Sequence, residues 1–159
     1  MNYTAGVVIN YWILVVKDHQ KSGRRIPALE VLRTRVEHRF WSLSSRARNI
    51  NRIKPGDRVV FYISSSGGMG FAGAAVVSST PHPITLEQRF HIYGYPSETF
   101  DYSIELENPV MWNKLVSPAE LLGKVSFLHS ERWWTRFRGS IIKITEDDYD
   151  KIVALAPIP

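Results

Sequence analysis

Cysteine is absent from the chain, which removes a disulfide framework, a thiolate nucleophile and cysteine-ligated zinc together. The five histidines, His19, His38, His82, His91 and His129, show no metal-ligand spacing, so no metal is expected. No serine sits in a Gly-x-Ser-x-Gly elbow, and Ser66-Gly67-Gly68-Met69-Gly70 lacks the lysine and hydroxyl of a phosphate-binding loop. That glycine-rich stretch reads as a hairpin turn, and no cofactor is expected. The longest apolar run, Gly6 to Val16, has no basic residue before it and falls short of the roughly 20 residues that span a bilayer. A soluble, cytoplasmic protein with no membrane partner is the expectation.

With 159 residues, 44% of them hydrophobic and 12% aromatic, the chain is long enough to bury a core as one domain over residues 1–159. Its net charge of +5 is concentrated. Between Arg33 and Arg58 lie eight basic residues (Arg33, Arg35, Arg39, Arg46, Arg48, Arg52, Lys54, Arg58) against two acidic ones (Glu37, Asp57). Such a segment is either a solvated basic face or a surface for a polyanion, and its position beside Trp41 favours the polyanion. Charge of this kind supplies affinity without sequence information.

Strands and short helices alternate along the chain. Tyr11 to Lys17 is β-branched and aromatic, hence a strand. Pro27 opens a helix in which Leu29, Leu32 and Val36 recur at helical spacing, with basic residues on its other face. Pro55-Gly56-Asp57 is a tight turn into a strand over Arg58 to Ser64, and a loop over 65–70 leads to a second strand, Phe71 to Ser78. Phe100 to Leu106 alternates at period two. Ser117 with Glu120, and Thr145 with Asp148, mark helix N-termini, and Ser140 to Ile144 is a last strand.

Several aromatic residues admit two readings. Trp41 is either a core tryptophan or one wall of a pocket, since Ser42, Ser44, Ser45, Arg46 and Arg48 surround it with small polar and basic side chains. Within Arg132-Trp133-Trp134-Thr135-Arg136-Phe137-Arg138, extended backbone would put Arg132, Trp134, Arg136 and Arg138 on one face and Trp133, Thr135 and Phe137 on the other. Tyr93 and Tyr95 either line a pocket together or pack as a lid.

Tyr11 to Lys17, then Trp41-Ser42, then Ile53-Lys54-Pro55-Gly56-Asp57 to Tyr62, then Phe71 to Val77, resemble the EVE domain of the PUA-like superfamily, a relative of YTH domains. Arg132-Trp133, Phe137, Gly139 and Asp148-Tyr149 are similar to the closing segment of small EVE-type proteins. The resemblance implies an α+β fold, a PUA-like curved mixed β-sheet pseudo-barrel flanked by short helices. It also implies a non-catalytic nucleic-acid-binding module that takes a single modified base of RNA or DNA in an aromatic cage. On that pattern Trp41 is the cage tryptophan, Ser42 frames the pocket with its backbone, and Lys17, Asp18 and His19 approach the base edge. Tyr93 or Tyr95 supplies a second wall, Trp133 is a further candidate, and Arg46, Arg48, Arg136 and Arg138 hold phosphates. Stacking of a base on an aromatic contributes roughly 1–3 kcal/mol. The resemblance leaves an alternative, a nucleic-acid-processing enzyme like the ASCH domains proposed as nucleases, with Lys17, Asp18, Tyr62 and Arg136 converging. A protein-interaction domain with a basic, solubilising face is the third reading.

Overall fold

The computed structural model describes residues 8–21, 23–65, 68–92, 100–128 and 140–157. Nine strands are described: β1 (Tyr11–Lys17), β2 (His19–Lys21), β3 (Arg24–Ile26), β4 (Phe40–Leu43), β5 (Arg58–Ser65), β6 (Gly68–Val77), β7 (His82–Pro83), β8 (Tyr102–Val116) and β9 (Ile141–Ile144). Three helices accompany them, α1 (Ala28–His38), α2 (Leu86–Phe90) and α3 (Glu146–Ala154), with a 3₁₀ turn over Pro118–Leu121.

Seven strands form one curled, mixed sheet in the order β4-β8-β6-β5-β1-β9, with β7 also on β8, while β2 and β3 make a separate hairpin. The β1–β5 pair is parallel and the others are antiparallel. Alternation along the strands divides the interior in two. Trp12, Leu14 and Val16 of β1 join Trp41, Phe61 and Ile63 beneath α1, whereas Tyr11, Ile13 and Val15 join Val60, Tyr62 and Phe71 beneath α3.

The Pro55-Gly56-Asp57 turn is tied into this core. Asp57 is fully buried, and its carboxylate accepts from the backbone N–H of Asn10 (3.0 Å) and of Lys54 (3.0 Å), the Trp12 indole Nε1 (2.9 Å) and the Lys54 ammonium (2.9 Å). A buried carboxylate is tolerable only with such a full complement of donors. The motif therefore seats Trp12 and starts β5 in register with β1.

Helix α1 differs from its sequence reading in which face it buries. Pro27 is the N-cap rather than the first helical residue, and the first free N–H, that of Ala28, is taken by the Asp18 carboxylate at 2.8 Å. Ala28, Val31, Leu32, Thr34 and Arg35 face inward, while Leu29 is largely exposed. One of the helix's arginines thus lies inside.

The glycine-rich stretch is shorter as a turn than the sequence suggested, because Gly68, Met69 and Gly70 already belong to β6. Gly73 has a packing reason: a Cβ there would collide with the Val110 carbonyl oxygen of β8. Strand β8 runs well past Leu106 to Val116, and β4 was not anticipated as a strand. Both predicted N-termini at Ser117 and Thr145 carry their caps, and Thr85 adds a capping box with Gln88. Asp148, however, turns its carboxylate to the N–H and hydroxyl of Ser126. Burial alone would raise that carboxyl, but the Ser126 and Thr145 donors outweigh it and hold it below the usual range.

Candidate nucleic-acid interface

Trp41 stands on β4, the edge of the large sheet, and is 1% exposed. Its ring stacks on Phe61 at 5.0 Å with 9° between planes, and the Arg35 guanidinium lies over the ring at 4.6 Å. Arg35 is itself buried and reaches toward Phe100, at 5.8 Å, while Phe100 stacks with His19 at 6.2 Å. A continuous shell of Trp41, Arg35, Phe100 and His19 therefore joins β4, α1, the segment before β8 and the β2–β3 hairpin.

The electrostatics of this shell are unusual for a protein interior. Burial, and secondarily the Arg35 charge, lower His19 to about 3, so its imidazole is neutral at physiological pH. Asp18 sits just outside, accepting from Ser65 Oγ at 2.7 Å and pairing with Arg25 at 3.5 Å. Burial alone would raise the Asp18 carboxyl, but the Ser65 and Ala28 donors and Arg25 prevail and lower it. Its carboxylate is thus committed to holding the N-terminus of α1. Lys17 ends β1 and is exposed.

Strand register decides what Ser42 offers. The Leu106 N–H donates to the Arg39 carbonyl, so the pairs two and four residues on repeat this bonding and the pairs one and three residues on skip it. Trp41–Ile104 is a bonded pair, whereas Ser42–Ser103 is not, and the backbone N–H and C=O of Ser42 point away from β8. Residue Glu105 agrees, since its backbone groups turn to Ser78 and Ser79 on the side away from β4. The Ser42 hydroxyl, on the sheet face opposite the Trp41 ring, is also buried and has no hydrogen-bond partner among the described residues.

Sequence reasoning missed Arg35 and Phe100. Arg35 was one arginine in a basic run, and the only available signal was its spacing from Val31 and Leu32 on one helix face. Arg46 and Arg48 are exposed on the turn after β4, which Asp101 fastens by accepting from Ser45 N (2.8 Å) and Ser45 Oγ (2.7 Å). Tyr93, Tyr95, Trp133, Trp134, Arg136 and Arg138 lie outside the described residues.

Two of the residues suggested for a nuclease are engaged in the fold. Tyr62 packs in the second cluster with Val15 and Phe71, on the sheet face away from Trp41, and burial pushes its phenol up to about 12. Asp18 is engaged with α1, and Arg136 lies outside the described residues. Among the described residues no group of His, Asp and Glu has the arrangement of a metal site, and no helix is long and apolar enough to cross a membrane.

A curled mixed sheet with a parallel β1–β5 pair and three short helices is the PUA-like α+β fold. The chain matches the EVE domain over residues 10–155 and belongs to that family. Human THYN1, solved in complex with 5-methylcytosine-containing DNA, superposes with a TM-score of 0.61 at 16% identity, over 94% of this chain and 99% of that one. A hypothetical protein from Leishmania major gives 0.60 at 18% identity, over 93% and 94% of the two chains. The YTH domain of Zygosaccharomyces rouxii MRB1, in complex with N6-methyladenosine RNA, gives 0.56 at 13% identity, over 94% and 90%. At these identities the likeness establishes the fold. No curated protein matches the chain.

Proposed function

We propose that this EVE-domain chain binds nucleic acid and takes a single, modified base of RNA or DNA against Trp41 and the edge strand β4. The observation that carries the reading is the Trp41–Ser42 step. An indole stands beside a backbone N–H and C=O that pairing among the described strands leaves unused, inside a shell with Arg35, Phe100 and His19. A nucleobase presents a flat π-face and an edge of donors and acceptors, and these are the two features the step complements. Two neighbours of the same fold, THYN1 and the MRB1 YTH domain, were solved with methylated DNA and methylated RNA respectively.

The face of Trp41 opposite Phe61 is covered by the Arg35 guanidinium. A stacking base takes over that face, and the displaced cation moves toward the incoming phosphates. Exposed Arg46, Arg48 and Lys17 supply the sequence-independent attraction to phosphate, and Arg136 and Arg138 add to it in this scheme. Tyr93, Tyr95 and Trp133 are the candidates for a second wall.

The test is a titration at two salt concentrations with matched single and double strands carrying cytosine, 5-methylcytosine, adenine or N6-methyladenine. A preference for one base that survives the higher salt, and that weakens in Trp41→Phe, supports the pocket. Equal, salt-sensitive binding to every strand, unchanged in the variant, overturns it and leaves a basic surface alone.

A further inference from the structure

A cavity of about 320 Å³ opens between the turns after β4 and the Thr80-Pro81 segment. Ile50 and Ile53 form an apolar floor continuous with the core, Tyr102 forms one side, and Ser45, Asn51 and Thr80 supply hydroxyl and amide groups. Its volume falls at the lower end of small-molecule sites, which run from roughly 300 to 1,000 Å³. Lys54, the cation that borders it, is already held by Asp57 and by the Val8 carbonyl. The lining therefore suits a neutral, flat, hydrogen-bonding ligand better than a free anion.

The position of the cavity relative to Trp41 is set by strand register. Trp41 pairs with Ile104 and Leu43 with Tyr102, so the two sites are two residues apart along β4. At 3.2–3.4 Å per residue that separation is about 6.6 Å, roughly twice the 3.4 Å rise between stacked bases. One unstacked nucleotide step spans it. Phe100, Asp101 and Tyr102 link the sites directly: Phe100 borders the Arg35–His19 shell, Asp101 fastens Ser45, and Tyr102 borders the cavity. Exposed Arg46 and Arg48 follow Ser45 on the same turn, where the phosphate between two such nucleosides would pass.

We infer that this cavity is a subsite for the nucleoside adjacent to the one read at Trp41, with the neighbouring base stacked on Tyr102. The inference rests on the proposed pocket and adds to it a preferred ligand: an extended strand of at least two nucleotides, with the neighbour on a defined side.

Fluorescence anisotropy with labelled five-nucleotide strands tests it. Each strand carries, at its centre, 5-methylcytosine or N6-methyladenine, whichever the protein prefers, and an abasic residue is placed on the 5′ or the 3′ side. An abasic neighbour on one side should weaken binding about five- to tenfold, in line with the loss of one stacked base, and on the other side should change nothing. Tyr102→Leu, and Thr80→Trp as a variant at an exposed position that fills the cavity, should weaken the intact strand by the same factor and abolish the sensitivity to the abasic site. Equal binding of intact and abasic strands, with base preference retained, overturns the subsite and leaves the Trp41 pocket standing. Absence of any base preference among intact strands overturns the pocket itself and the subsite with it.

Discussion

Replacing Asp57 by alanine removes the acceptor of four hydrogen bonds at a fully buried position. The Trp12 indole N–H, inside the core, loses its partner and has no water to replace it. One buried donor left unsatisfied costs about 1–3 kcal/mol. The Lys54 ammonium, only partly buried, turns to solvent at smaller cost, and the backbone N–H groups of Asn10, before β1, and of Lys54, before the turn, lose the anchor that holds β5 against β1. The total should reach about 3–5 kcal/mol, the range for removing one partner of a buried charge pair. Domains of this kind have about 5–15 kcal/mol of stability, so the variant folds marginally. In urea, with a slope of about 2 kcal/mol/M, the unfolding midpoint should fall by about 1.5–2.5 M while the slope stays unchanged. Asp57→Asn keeps one accepting oxygen but points an N–H₂ at the same donors, and should recover less than half of the loss. A midpoint shift under 0.5 M for Asp57→Ala would refute the reasoning, because it would mean that the donors find other partners at no cost.

Trp41→Ala should cost about 3–5 kcal/mol of stability, since the ring is sandwiched between Phe61 and Arg35. Trp41→Phe is therefore the binding probe, with thermal melts separating loss of fold from loss of base selectivity. His19 is buried neutral, lowered to about 3, against about 6.5 in an unfolded chain. Between these values the unfolded state binds the extra proton, so stability falls as pH falls, by up to about 1.4 kcal/mol per pH unit. His19→Gln should flatten the urea-midpoint profile between pH 6.5 and 4 relative to wild type; parallel profiles would show that the imidazole is protonated in the fold. Gly73→Ala should destabilise by about 1–3 kcal/mol through overpacking, because its methyl meets the Val110 carbonyl of a paired strand; an unchanged melting temperature would show that β6 and β8 separate freely.

Local signals carried much of the fold. β1 was legible in its run of β-branched and aromatic residues, the β5 start in Pro-Gly-Asp, and two helix N-termini in Ser-x-x-Glu and Thr-x-x-Asp. Each is a preference of a few adjacent residues. The elements that were missed or misjudged depend on distant partners. Phe40 to Leu43 is too short to show a period and becomes a strand because β8 pairs with it. The second half of β8, from Glu107 on, is irregular in pattern, and is extended because β6 lies along it through two register shifts.

The sequence by itself determined that the chain can build a cysteine-free core, that its positive charge gathers between Arg33 and Arg58, and that Trp41-Ser42 and the Pro-Gly-Asp turn follow an EVE-like order. The first two follow from composition and the third from resemblance to a known family, and none needs knowledge of what lies across the sheet. Only the tertiary structure decided that Arg35 leaves the basic run to cover Trp41, that His19 is buried against Phe100, and that the backbone of Ser42 faces outward. Those facts rest on helix rotation, on strand register and on contacts between residues far apart in the chain, and a side chain's neighbours across such distances are set by packing rather than by its own segment.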